Sequence, residues 1–510
     1  MKGYLSFPLF ITLSVVAASS FLLNRCFLLD FFMPSGPKDI RPVKEQIWDY
    51  YSSKLDETPA FESGFSAYFD FSDGMSEAYK DPDTRANLQG ITQKITGSDW
   101  IVYGMASNRL DTLRLSQTEL YNKITQPRYT DIMAPIEKAL ESIVSNRKRA
   151  LLVTDFEEYT VDRRIQYQNY AKRYFAAWLK GGGVVNFYIT DYKEGRQDKH
   201  LYFAVFDDAE GTMTSIIDDA LVGRRVNYQR FSLTNRPVEV IKTYSNPLKG
   251  GNYHDASGND NVTAVNEDDT TNDMYCSYDG GRVEFYPCGV SWSDMYENAI
   301  ALAQLPGPDR FYSLFRGIVM DASTGKDSYR IDDYALRVTN VQKDFAMFTN
   351  YQAALRNPPT ITRNPDGSQI VEFTEHPDAQ YYYDQDGRLF AEYDYTPQSC
   401  PEIPNLLMLD KAVMSESNRQ NPDQTEIAID FSDNFSKKSL DVESCDLIRV
   451  DVVIAKATPQ LDRLDGLFAW GADRNGQTNR NLSEAIRNTL QEQDINPQGQ
   501  VLFTYFLRAF

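Results

Sequence analysis

Between residues 60 and 240, short apolar runs alternate with amphipathic stretches. Largely apolar runs at 66–71, 100–105, 150–154, 184–189 and 201–206 predict strands buried on both faces of a sheet. Apolar residues recur at helical spacing over 83–92, 116–124, 133–144, 163–179 and 213–221, with Pro82 before the first of these and Gly181 to Gly183 after the fourth. Strands and helices in alternation predict an α/β fold on a doubly wound, mainly parallel sheet.

The texture changes at 245–282, where Asn, Asp, Gly and Thr dominate and a solvated linker is expected. Its carboxylates lack the spacing of an EF-hand loop. Beyond it the chain reads largely as strands, at 311–320, 329–341, 426–431, 447–455 and 501–506, with hairpin signals at Asn364 to Gly367 and at Asp384 to Gly387. This pattern predicts a mostly β region of one or two β-sandwich modules, interrupted by a helix over 483–491 that Asn481 would cap, with Glu484 three residues on. The run Tyr381 to Tyr383 fits strand packing. Five segments result: 1–25 as leader, 26–60 as a tether with a short helix around 43–51, 61–240 as the α/β unit, 241–282 as linker, and 283–510 as the β region.

Candidate chemistry gathers where the first apolar run stops, at Asp70-Phe71-Ser72-Asp73-Gly74-Met75-Ser76. Open α/β sheets place ligands at the carboxyl ends of their strands. Two further segments supply oxygen donors: Thr130, on a loop before the stretch at 133–144, and Asp155, at the end of the run Leu151-Leu152-Val153-Thr154. Carboxylates and hydroxyls from three loops form an all-oxygen set suited to Mg²⁺, Mn²⁺ or Ca²⁺.

Asp-x-Ser-x-x-Met, then Thr-Asp before a helix, then strand-Thr-Asp resembles the von Willebrand factor A (vWA) domain and its metal-ion-dependent adhesion site, over roughly residues 60 to 240. The resemblance implies that Asp70 and Ser72 ligate the cation from the first loop, Thr130 from the second and Asp155 from the third. The family carries a second Ser four residues after the first Asp; here that position is Gly74, with Asp73 and Ser76 as neighbouring donors. It further implies a vWA-type, Rossmann-like sheet and capture of a protein partner whose acidic side chain completes the coordination.

Composition alters this picture in three ways. One early Lys followed by an apolar stretch from Tyr4 to Leu23 reads as a secretory signal or a signal anchor. Leu23-Asn24-Arg25-Cys26 resembles a bacterial lipoprotein cleavage box, which would make Cys26 a lipid anchor. Either places the chain outside the cytoplasm, membrane-anchored in the periplasm or at the cell surface. The remaining cysteines, Cys276, Cys288, Cys400 and Cys445, are even in number and suit two disulfides, with the connectivity open.

A net charge of −20, with no basic run, makes the chain a poor candidate for binding nucleic acid or an anionic membrane surface. The three histidines, His200, His254 and His376, lie in no catalytic motif, and no phosphate loop or dinucleotide fingerprint occurs. A non-enzymatic function is expected, with a metal-dependent hydrolase far behind. The expected function is a membrane-tethered binding protein that uses a vWA domain to hold a protein partner. The alternative is a metal-free vWA scaffold subunit of an envelope or surface-fibre assembly.

Overall fold

The computed structural model describes residues 41, 43–55, 59–95, 99–126, 129–131, 133–157, 170–221, 228–242, 276–278, 283–286, 315–356, 360–372, 379–383, 389–393, 395–432, 446–471 and 478–508. Seven strands, β1 (Glu62–Asp70), β2 (Trp100–Ala106), β3 (Arg109–Leu113), β4 (Lys148–Thr154), β5 (Val184–Glu194), β6 (Gln197–Asp207) and β7 (Gln229–Leu233), form one sheet. Its order is β3-β2-β1-β4-β6-β5-β7.

The sheet is mixed rather than mainly parallel. β1 pairs in parallel with β2 and with β4, while β3, β6 and β7 run against their neighbours. Apart from the edge strands β3 and β7, the difference arises between residues 184 and 206. The two apolar runs there are the cores of longer strands joined by Gly195 and Arg196 alone, with Gly195 at φ 62°. Two residues close a hairpin but cannot carry a parallel crossover, which needs a dozen or more. β6 therefore folds back between β4 and β5. Being buried on both faces, it shows the same apolar run that a parallel strand would.

Successive residues of β1 serve opposite faces, as the strand period requires. Ala67 and Phe69 pack with helices Pro82–Lys94, Gln117–Ile124 and Thr212–Leu221, through residues such as Leu88, Ile124 and Ile217. Tyr68 points to the other face, where helices Ile136–Asn146 and Ala171–Lys180 contribute Leu140 and Phe175. Ser116 caps the helix Gln117–Ile124 in a capping box with Glu119. The leader and lipid-anchor positions, including Cys26, and residues 163–169 of the fourth expected helix lie outside the described residues.

The remaining strands are β8 (Glu239–Lys242), β9 (Cys276–Tyr278), β10 (Val283–Tyr286), β11 (Phe315–Asp321), β12 (Tyr329–Asn340), β13 (Thr360–Arg363), β14 (Gln369–Glu372), β15 (Ala379–Tyr383), β16 (Leu389–Tyr393), β17 (Leu407–Leu409), β18 (Gln424–Phe431), β19 (Leu447–Pro459) and β20 (Val501–Arg508). They form a five-stranded sheet, β12-β19-β20-β10-β9, a four-stranded sheet, β17-β18-β11-β8, and two hairpins, β13-β14 and β15-β16. Both expected hairpins are present. At the first turn Gly367, at φ 85°, donates its N–H to the Asn364 carbonyl; residues 384–388 of the second lie outside the described set.

Besides the expected last helix, which spans Asn481–Leu490, the C-terminal region carries three helices that its sequence pattern does not predict: Gln342–Arg356, Lys411–Gln420 and Leu464–Phe468. Asn481 lies inside the last helix instead of capping it, and the Asn479 side chain accepts the Asn481 N–H at 3.1 Å. One apolar cluster runs from the seven-stranded sheet into this region, joining Phe187, Tyr202 and Phe231 to Phe468, Ile427 and Val450. Of the cysteines expected to pair, Cys276 opens β9, Cys288 and Cys445 lie outside the described residues, and Cys400 is a half-buried free thiol.

Candidate functional site

β1 and β4 lie side by side, with Phe69 level with Val153. From β1 the chain leaves toward β2 on one flank of the sheet, and from β4 toward β5 on the other. The crevice at their carboxyl ends is thus a topological switch point, where such sheets bind ligands. Asp70 ends β1 and Asp155 follows β4, and both are buried, 0% and 2% exposed.

The Asp70 carboxylate is held on both oxygens. The Ser72 N–H donates to Oδ1 at 2.8 Å, closing the turn after β1, and the Thr154 hydroxyl donates to Oδ2 at 2.7 Å. Behind it the Tyr79 hydroxyl donates to the Asp70 carbonyl at 2.9 Å. The turn lies close against β2, because Phe71 packs over Gly104. A Cβ at Gly104 would come within 2.8 Å of the Phe71 ring, so the glycine permits this approach.

Asp155 accepts the Glu157 N–H on Oδ1 at 2.9 Å and the Tyr192 hydroxyl on Oδ2 at 3.3 Å. Between Asp155 and Glu157, Phe156 adopts φ 55°, a left-handed conformation uncommon for a bulky side chain. Glu157 is anchored in turn: Lys199 donates to Oε2 at 2.7 Å and the Trp470 indole N–H to Oε1 at 2.6 Å. Lys199, itself buried, also pairs with Glu194.

Electrostatics set these carboxylates apart. Burial pushes the Asp70 carboxyl above the ordinary range, against the hydrogen bonds from Ser72 and Thr154. Asp155 is raised well above it by burial, then by the neighbouring charges of Glu157 and Asp70, with Lys199 opposing. A single ammonium therefore faces several acids, and a hard cation would relieve the remaining repulsion.

The second loop joins the first through its backbone. Ser72 and Asp131 form a parallel bridge, the Asp73 N–H donates to the Asp131 carbonyl at 2.6 Å, and the Tyr129 N–H donates to the Ser76 hydroxyl at 2.9 Å. Ser76 thus ties two loops together, and the Asp73 side chain is exposed. Thr130 lies on this loop and lines a hollow of about 240 Å³ with Phe71, Lys123, Tyr129 and Asp131; no described hydrogen bond links it to Asp70 or Asp155.

The structure thus brings together Asp70, Ser72 and Asp155, and leaves Thr130 on the adjoining loop. Among the described residues no three His, Cys, Asp or Glu side chains converge as a metal cluster. Two carboxylates with hydroxyls suit a hard cation that keeps several waters, as Mg²⁺ does. Gly74 sits beside this set: a Cβ there would lie 3.6 Å from Asp155 Oδ2.

Sequence reasoning did not find Thr154, Tyr192, Glu157, Lys199 or Trp470. Thr154 stood next to Asp155 in the strand-Thr-Asp motif, and the pairing of β1 with β4 gives it its role. Trp470 is more than 300 residues away from Glu157, and nothing local signals their contact. Comparison of the chain with protein-family models, with curated proteins and with solved structures finds no match.

Proposed function

We propose that the chain is an extracytoplasmic, membrane-tethered binding protein in which the crevice between β1 and β4 holds a divalent cation and, through it, a protein partner. The observation that carries this reading is the burial of Asp70 and Asp155 side by side at a topological switch point. Two desolvated carboxylates are costly unless a cation compensates them. Asp70, Asp155 and the Ser72 hydroxyl would hold the ion, and the adjoining Thr130 loop would add an oxygen or border the bound partner. With few protein ligands, the cation keeps an open position that a carboxylate of the partner can fill.

The vWA-type resemblance supports the same reading through the order of its motifs. The long-range repulsion of an acidic partner by a chain of charge −20 makes local cation bridging the more necessary. The apolar residues 4–23 and Cys26 support the tether. Among the described residues no helix is long and apolar enough to cross a membrane.

A second reading, a metal-free vWA scaffold subunit of an envelope or surface-fibre assembly, draws on Gly74, which supplies no oxygen beside Asp155. Calorimetric titration of Mg²⁺ and Mn²⁺ into the full chain in detergent separates the two. Saturable binding that disappears in a folded Asp70→Asn variant supports the cation site. Absence of binding in the wild type removes it and leaves the scaffold.

A further inference from the structure

Glu157 links the candidate site to the far end of the chain. Its own N–H fixes Asp155 Oδ1, and its carboxylate is held by Lys199 from β6 and by Trp470. Trp470 ends a short segment that begins with the helix Leu464–Phe468 and is fastened to the seven-stranded sheet along its length. The Tyr202 hydroxyl donates to the Leu467 carbonyl at 3.0 Å. Phe468 stacks on Tyr202 at 5.6 Å and meets Phe187 and Phe231 edge-on, each at 5.1 Å. The Trp470 ring lies 5.6 Å from Tyr202, and both Trp470 and the Glu157 side chain are buried. The carboxylate it grips belongs to the loop that holds Phe156 left-handed, a conformation a bulky residue keeps only where its surroundings impose it.

Resting on the cation reading above, we propose that Trp470 is a positioning residue of the cation site: through Glu157 it sets the loop that presents Asp155, so that the C-terminal region tunes cation affinity. Ligand-orienting groups outside the coordination sphere commonly alter metal affinity by about 10- to 100-fold. Coupling is reciprocal, so the bound cation tightens the docking of 464–470 by the same factor. The region beyond residue 242 is then part of the binding device, and strain on it would be felt at the cation.

The test is Mg²⁺ affinity, by calorimetry on the full chain in detergent, for the wild type, Trp470→Phe and Trp178→Phe. Trp178 donates its indole N–H to the carbonyls of Val184 and Asp207, away from the site, and serves as the control for loss of a buried indole donor. Trp470→Phe keeps the ring packing and is expected to bind Mg²⁺ about tenfold more weakly, while Trp178→Phe binds as the wild type does. Equal affinities in the wild type and Trp470→Phe overturn the proposal.

Hydrogen exchange on the wild type gives a second readout that needs no variant. Mg²⁺ is expected to slow exchange at 464–470 together with 154–157. Protection confined to 154–157 overturns the coupling while leaving the cation site standing. A wild type that binds no Mg²⁺ removes the cation reading and this inference with it.

Discussion

Gly74 is where a single atom matters most. It has φ −58° and ψ −32°, which any L-residue adopts, and a Cβ there meets Asp155 Oδ2 at ordinary contact distance. A hydroxyl at this position would reach the carboxylate. Gly74→Ser is therefore expected to raise Mg²⁺ affinity by roughly tenfold through one added oxygen, without loss of stability, since glycine carries an entropic cost in helical conformations. Calorimetry and thermal melting check both parts; unchanged affinity would place the cation away from residue 74. Thr154 gives the complementary case. Thr154→Val keeps the shape but leaves Asp70 Oδ2 without its donor, at an expected cost of about 1–2 kcal/mol in urea unfolding.

At the scale of elements, the helix Val43–Ser52 shows how the expected tether is secured. Tyr50 packs edge-on against Phe345 and Phe348 at 5.5 and 5.6 Å, and its hydroxyl donates to the Asp344 carboxylate at 2.7 Å. Asp344 also accepts from the Tyr395 hydroxyl at 2.6 Å and the Gln398 N–H at 2.7 Å, and pairs with Lys54 at 2.9 Å. Burial alone would raise this carboxyl, but the hydrogen bonds from Tyr395, Tyr50 and Gln398, with Lys54, outweigh it and hold it below the usual range.

A depressed carboxyl contributes stability above its unfolded pKa, about 4, and that contribution is lost as pH falls through the lower folded value. Melting of the wild type is thus expected to weaken on acidification below about pH 4, and Asp344→Asn to lose that part of the dependence. Identical acid profiles would show that Asp344 does not govern the docking. Asp344→Ala, which strands the buried Tyr50 hydroxyl and the part-buried donors of Tyr395 and Gln398, is expected to cost about 3 kcal/mol and to speed hydrogen exchange over 43–52.

Elements also show where local pattern runs out. The helix Gln117–Ile124 matches the expected 116–124 to within a residue, and the structure adds the capping box of Ser116 with Glu119 at its start. The β5–β6 hairpin was not legible, because a strand buried on both faces carries no alternation to reveal its direction, and the polar extensions of both strands hide how short the connection is. The helix Gln342–Arg356 was missed in a region read as strands; it lies against Tyr50 and the helix Val43–Ser52, about 300 residues earlier in the chain.

The whole molecule is tied together by contacts that cross its length. β8 follows the seven-stranded sheet in sequence, yet pairs with β11, Ile318 opposite Lys242 and Met320 opposite Val240. Phe468 fills a pocket of rings from β5, β6 and β7. A fragment ending at residue 242 would expose those rings and leave β8 unpaired. It is expected to aggregate or to melt far below the full chain, as size-exclusion chromatography and circular dichroism would register; a monomeric fragment of unchanged stability would contradict the shared core. Phe468→Ala in the full chain is expected to cost about 3–5 kcal/mol, as for other buried aromatics.

The sequence by itself determined β1, β2, β4, β5 and β6 and the longer helices of residues 82–221, because apolar periodicity is a local property, though not the edge strands β3 and β7; it marked Asp70, Ser72 and Asp155 because residues that end strands announce themselves. Only the tertiary structure decided that β6 inserts antiparallel, that Thr154 rather than solvent holds Asp70, that Ser76 and the Thr130 loop are stitched to the first loop, and that Glu157 is gripped by Trp470. Each of those depends on strand register or on contacts between residues distant in the chain, which local hydrophobic pattern does not encode.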